Sequence, residues 1–299
     1  MMRYAFSYSL IFITHFLYAQ ETDLAKMAAA DQKKDSSKKM VENTFYATRI
    51  INGQSIEQLE AGILDFRISH RFGKINDGLY NLFGLDNATI RFGLDYGITD
   101  KLMIGVGRSS FQKQFDAFFK YRLLSQTEEN GLMPISMSFM SSLMINTLKW
   151  EFPNRKNYFT SRFYYAHQLL IARKFSKNTS LQLMPTIVHY NLVSNSDDPN
   201  DLFSIGLGGR QRITKRVSVN AEYYYQLPGA RFERTRNSLS LGIDIETGGH
   251  VFQLHVTNST GMTERTFINE TYGGWEKGDL LFGFNISRVF SLKKKRSSW

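Results

Sequence analysis

Six histidines, a scatter of serines and carboxylates and one glycine-rich run are the residues of this 299-residue chain that could do chemistry. Beyond His15 lie His70, His167, His189, His250 and His255, and no two of them stand at metal-ligand spacing. His250 and His255 are five apart on an alternating stretch, so they face opposite ways. Hydrolysis by a triad needs a nucleophile, a base and an orienting acid. Ser240, His255 and Asp244, on adjoining polar faces, are the best available set, but no nucleophile elbow surrounds Ser240. NSDDPND at 195–201 gathers three carboxylates without the glycine and distant glutamate of a calcium loop, and Asx-turn chemistry accounts for it. GLGGR at 206–210 opens no helix whose N-terminus could take a phosphate. With no cysteine, thiolate sites and disulfides are excluded. No catalytic residue, metal or cofactor is therefore expected, and the chain does not read as an enzyme.

What the chain has instead is alternation. In ATIRFGLDYG, Ala88, Ile90, Phe92, Leu94 and Tyr96 alternate with Thr89, Arg91, Gly93, Asp95 and Gly97, the period-2 pattern of a strand with one apolar and one polar face. After a turn, Leu102, Ile104 and Val106 resume it, which makes a hairpin with its bulk on one side. Strands of the same kind are predicted at Ile63 to Phe72, Asp116 to Leu123 and Ile135 to Phe139, and at 162–174 and 180–191, with Pro185 an obstacle in the last. Others follow at Phe203 to Arg210, Val217 to Tyr225, Ser238 to Glu246, Val251 to Asn258 and Asp279 to Phe290.

The connections alternate in length. ITD (98–100), SKN (176–178), TK (214–215) and TGG (247–249) are tight turns, whereas 73–87, 147–160, 193–201, 227–236 and 259–278 are long and polar. Short turns at one rim and long loops at the other are the arrangement of an outer-membrane barrel with its short turns in the periplasm. Parity then gives twelve strands and leaves 44–53 as a periplasmic or lumen-lying segment. The fold class expected is all-β, an antiparallel up-and-down transmembrane β-barrel.

Arg3 followed by SLIFITHFLYAQ reads as a secretory signal over residues 1–19, with the mature chain starting at Gln20. Residues 20–43 read as a flexible leader, 44–290 as the barrel and 291–299 as a basic tail. Mean hydropathy is only -0.31, and no later run is long enough for a spanning helix. The net charge of +10 is spread along strands and turns, with its densest cluster, Lys293 to Arg296, at the very end, so no nucleic-acid partner is expected.

Alternation alone does not say which face meets lipid. Asp65, Arg67, Arg91, Asp95, Lys120, Arg122, Arg210, Glu222, Asp244 and Glu246 share the polar face and are expected to line a watery lumen. Tyr96, Tyr121, Tyr190, Tyr223 and Tyr225 are expected in an aromatic girdle on the other face. The runs RIINGQSIE, DFRISHRFG, GLDNATIRFGLDYGITDKL and IGVGRSSF resemble those of a Bacteroidota family of outer-membrane β-barrel proteins, a domain of unknown function. The likeness spans Thr44 to the C-terminus and is densest up to Phe111. It implies a barrel in the envelope and no catalytic residues, since the family has no established activity. SLKKKRSSW after Phe290 departs from the usual aromatic end of a last barrel strand. The resulting expectation is an outer-membrane barrel that passes or binds small polar solutes or has a structural role, with outer-membrane lipid and the assembly machinery as partners. Its rivals are an outer-membrane hydrolase and a secreted soluble barrel holding an apolar ligand.

Overall fold

Period-2 sequences have one way to hide every backbone hydrogen-bonding group without a partner chain, which is to pair the last strand with the first. That closure is what forms. The computed structural model describes residues 40–128 and 133–292. The expected signal, most of the leader and most of the basic tail lie outside them. The strands are β1 (Ile63–Lys74), β2 (Ala88–Thr99), β3 (Leu102–Ser109), β4 (Phe115–Leu124), β5 (Ser136–Ile145) and β6 (Phe163–Lys174). They continue with β7 (Thr179–Tyr190), β8 (Asp201–Arg212), β9 (Val217–Gln226), β10 (Ser238–Glu246), β11 (His250–Thr257) and β12 (Leu281–Ser291). Each is antiparallel to its sequence neighbours, and β1 pairs with β12, with Ile68 opposite Ile286, to make a closed twelve-stranded barrel.

Burial assigns the faces. Along β10, Leu241 and Ile243 are each 45% exposed while Gly242 and Asp244 point inward, and Asp244 is buried. The same alternation runs around the barrel, leaving Leu94, Val106, Leu181, Leu207 and Leu254 on the outside. An apolar band of that extent is a surface for lipid, and a soluble barrel would carry it within. Tyr96, Tyr121, Tyr223 and Tyr225 lie on this outer face, but Tyr190 does not. It shares the parity of buried Met184 and Val188 and packs inside against Tyr164 and Phe232, so the girdle expected of it is corrected. Pro185 is accommodated in β7 because the ladder to β6 skips it, running Gln168↔Thr186 and resuming at Ile171↔Leu183. A residue without an N–H leaves no donor stranded there.

Most connection lengths follow the sequence pattern; the exceptions are β3–β4, with only five residues (110–114) in a long-loop slot, and β4–β5, with eleven (125–135) in a short-turn slot. Two residues, Asp100 and Lys101, join β2 to β3, whereas the β11–β12 connection runs from 258 to 280. That long connection carries the short helix α1 (Glu264–Asn269), every residue of which is buried. Thr263 caps it, with Thr266 reaching back to the Thr263 N–H. One and a half turns have no stability of their own, so burial holds the helix. A separate small unit contains an antiparallel bridge between Met40 and Thr127, with the Val41 N–H donating to the Gln126 carbonyl at 2.8 Å.

Two outcomes are expected. Leu241→Arg puts a charge on the lipid face at a cost of about 2–4 kcal/mol at the midplane. It should reduce the heat-modifiable folded band on gels, while Leu241→Ile leaves the band unchanged. At the long-loop rim, Asp279 accepts from Asn76 (3.0 Å), the Gly274 N–H (3.1 Å) and Lys74 (3.1 Å), which hold its carboxyl down at about 2. A lowered carboxyl value stabilises the folded rim above the ordinary value of 3.8 and loses that contribution as pH falls toward about 2. The protection of the Gly274 amide relative to its intrinsic exchange rate should therefore fall across that window, and Asp279→Asn should remove the dependence.

Candidate functional site in the barrel interior

A peptide enclosed by a barrel away from bulk water must find a partner for each backbone N–H and C=O. Residues 44–59 are such a peptide. Thr48 to Ser55 form a tight hairpin, with Ile50 N–H to Gly53 O at 2.9 Å and Ser55 N–H to Thr48 O at 3.0 Å. Its apolar side chains Phe45, Ile50, Ile51 and Ile56 are all at most 2% exposed and pack with Tyr224, Phe267 and Ile268 in the largest buried cluster. Each such burial contributes about 1.5–3 kcal/mol.

The hairpin tip turns three successive N–H groups toward one carboxylate. Glu222 of β9 accepts from Ile51 (3.2 Å), Asn52 (3.3 Å) and Gly53 (2.9 Å), the concave donor arrangement that suits an anion. Wall amides take the carbonyls: Gln253 donates to Ile50 O at 2.9 Å, Asn285 to Ile51 O at 2.9 Å and Gln182 to Gln54 O at 2.7 Å. Lys120 Nζ reaches Ser55 O (3.1 Å) and Glu57 O (2.6 Å), and Arg122 reaches Ile56 O (2.7 Å). The Asn52 side chain accepts from Arg71 at 2.7 Å and donates to Ser240 at 2.9 Å. Arg49 pairs with Glu264 of α1 at 2.8 Å, joining the hairpin to the infolded loop. The middle of the barrel is thus filled by the chain itself.

The ten charged residues expected to line the lumen all point inward, as do Arg71 and Asp116; of the ten, eight are buried, and Arg122 and Glu246 are half-buried. They do not form one water-facing ring. Lys120, Arg122 and Glu222 hold hairpin backbone, Arg67 donates to Thr48 Oγ1 at 2.6 Å, and Arg210 lies over the Tyr46 ring at 4.8 Å. Asp244 accepts from Gln253 at 3.0 Å. Asp65 pairs with Arg67 at 2.9 Å, Arg91 pairs with Asp116, and Glu246 accepts the Gly248 N–H at the rim. Asp95 lies inside opposite Gly105, where an added Cβ would come 2.4 Å from its Oδ1. A charge criterion passes over Gln182, Gln253 and Asn285, although each shares the inward parity and parity would have found them.

The possible triad does not assemble. Ser240 hydrogen-bonds Thr257 at 2.8 Å, Asp244 is taken by Gln253, and among the described residues neither His255 ring nitrogen is hydrogen-bonded to Ser240 or Asp244. The carboxylates of 195–201 are likewise structural. Asp198 accepts from the Asn195 side chain at 3.2 Å and from Arg234 at 2.8 Å, and among the described residues no cluster could hold a metal. GLGGR serves packing: a Cβ on Gly208 would come 2.3 Å from Ile50 Cδ1, so the wall is thinned where the hairpin lies. Toward the short-turn rim a cavity of about 530 Å³ remains. Tyr46, Thr48 and Glu57 line its hairpin side; Asp65, Glu246 and Ser287 line its wall.

Residues 45–290 match the family described as a membrane-bound β-barrel domain (DUF5777), and the chain belongs to it. No curated protein matches the sequence. Among solved structures the chain is similar to the NanC porin, at 8% identity over 77% of this chain and 100% of that one, with a TM-score of 0.46. It is similar to an outer membrane channel from Pseudomonas putida F1, at 13% identity over 79% and 98%, with a TM-score of 0.45. The outer membrane phospholipase A from Escherichia coli is similar at 11% identity over 83% and 100%, with a TM-score of 0.44.

Glu222→Gln replaces a four-lone-pair acceptor by one oxygen and an NH₂ that faces the same N–H donors. Losing a charged acceptor costs about 2 kcal/mol. Amide exchange at Ile51, Asn52 and Gly53 should therefore accelerate more than tenfold, while protection of the β9 and β10 ladders stays unchanged.

Proposed function

We propose that this chain is an outer-membrane barrel through which small polar solutes pass, or in which they are held, and that its own N-terminal hairpin closes the path. The observation that carries this reading is the way the hairpin is held. Its backbone is gripped by wall side chains such as Glu222, Gln253, Asn285 and Lys120, and the ladders of the barrel do not depend on it. Contacts of that kind exchange for water at small net cost, since a hydrogen bond contributes only about 1 kcal/mol over its solvated alternative. The four buried apolar side chains of the hairpin add about 1.5–3 kcal/mol each, so the path is closed most of the time and the plug leaves rarely, and the wall behind it is polar enough to conduct. The cavity beside Asp65, Glu246 and Ser287 is where a solute would first sit.

In this reading residues 1–19 direct export, the short turns face the periplasm, and lipid and the barrel-assembly machinery are the partners. Planar-bilayer conductance tests it. The full chain should show small or rare openings, and a chain lacking 44–58 should show large, long-lived ones. Because the sequence has no cysteine, Asn52→Cys with Ser240→Cys offers one reversible lock at a pair now 2.9 Å apart. Oxidation should silence the channel and reduction restore it. A folded barrel without 44–58 that conducts no more than the full chain would refute the proposal.

A further inference from the structure

The β1–β2 connection carries the two most exposed large apolar side chains among the described residues. Leu79 is 74% exposed and Tyr80 95%, with Leu82, Phe83 and Leu85 close to half exposed. Loops of soluble surfaces do not gather five such side chains within seven residues without a use for them. The backbone is shaped to present them. Leu82 and Phe83 both adopt left-handed conformations, at φ 45° and 54°, which bulky residues rarely enter and which cost of order 1 kcal/mol or more each. The loop is seated rigidly in spite of this: Phe83 N–H donates to Gly78 O at 2.8 Å, and Gly84 packs so closely on Gly73 that a Cβ would come 2.5 Å from its carbonyl.

Part of the polar complement at the base of this connection is already used. Lys74 and Asn76 bind Asp279, and the Ile75 N–H binds Leu280 O at 2.7 Å. The apolar ones have no such partner. At the foot of the loop the outer wall is aromatic, with Phe72 stacked on Phe282 at 6.0 Å and His70 on Phe284 at 4.9 Å. The lipid-facing band of β12 and β1 therefore runs up to the residue before Gly73, and the exposed cluster starts a few residues beyond it.

We propose that Leu79, Tyr80, Leu82, Phe83 and Leu85 form a membrane anchor, a preshaped knob that lies in the headgroup and upper acyl region of the bilayer and continues the lipid-facing band past the strand ends. Aromatic and aliphatic side chains favour that layer, where rings meet both apolar and polar surroundings. The left-handed backbone at Leu82 and Phe83 then serves to turn adjacent side chains toward one lipid surface.

The test uses the full chain, in which any introduced cysteine is unique. Tyr80→Cys, Leu79→Cys and, as a water-facing reference on another long loop, Ser196→Cys are each labelled with a small fluorophore. The proteins are reconstituted in phosphatidylcholine vesicles containing a nitroxide-bearing phosphatidylcholine. Labels at 79 and 80 should be quenched several-fold more by the lipid nitroxide than the label at 196, and several-fold less by aqueous iodide. If they respond to iodide as the label at 196 does and ignore the nitroxide, the knob stands in water and the proposal is wrong. Shielding from both quenchers would mean a protein covers it, a second copy or another partner, and would equally overturn the proposal.

Discussion

Three amide groups at the tip of a hairpin meet one carboxylate in the middle of a barrel, and the rest of the interior is arranged around that contact. Glu222 is 1% exposed, and a buried carboxylate is tolerable only when donors surround it. Ile51, Asn52 and Gly53 supply them. The need is mutual, because the turn leaves those N–H groups without partners in the hairpin itself, and an unsatisfied buried donor costs about 1–3 kcal/mol. Removing either side would strand the other.

Other features of the wall follow from the space the hairpin occupies. Gly208 and Gly242 sit where Ile50 and Ile51 approach β8 and β10, with added Cβ atoms coming 2.3 and 3.3 Å from their terminal carbons. The infolded β11–β12 connection completes the filling. Glu264 answers Arg49, and Phe267 packs edge-on to Tyr224 at 5.2 Å, so α1 depends on the hairpin for both its ion pair and part of its burial. Breaking a buried pair by removing one partner costs about 3–5 kcal/mol. Hairpin and helix are therefore expected to loosen together.

Much of this was legible before any coordinates. Period-2 alternation identified the twelve strands, and Leu241, Gly242, Ile243 and Asp244 lie on the faces their parity requires, because a strand has only two sides. The alternation of turn lengths carried most of the rims for the same reason. Residues 44–53 are recognisable from parity as lying outside the ladder, in the periplasm or in the lumen, but which of the two is not. A hairpin held by side chains from β1, β4, β7, β9, β10, β11 and β12 has no local signature, since its partners are 19 to 234 positions away. The ten inward charges were visible by type, but whether they meet water or backbone depends on what fills the lumen. Tyr190 was misplaced by treating tyrosine near a strand end as a girdle residue when its parity pointed in.

If the hairpin occupies the lumen of the membrane-embedded protein, a thiol placed at its tip is shielded from water-soluble reagents. In Ile51→Cys the new side chain replaces one that is 2% exposed at the hairpin tip. Treated in vesicles with a charged, water-soluble maleimide, it should react orders of magnitude more slowly than Ser196→Cys and become reactive only on denaturation. Reaction of the intact, folded barrel at the rate of the exposed reference would mean the hairpin lies outside the lumen and would contradict the account.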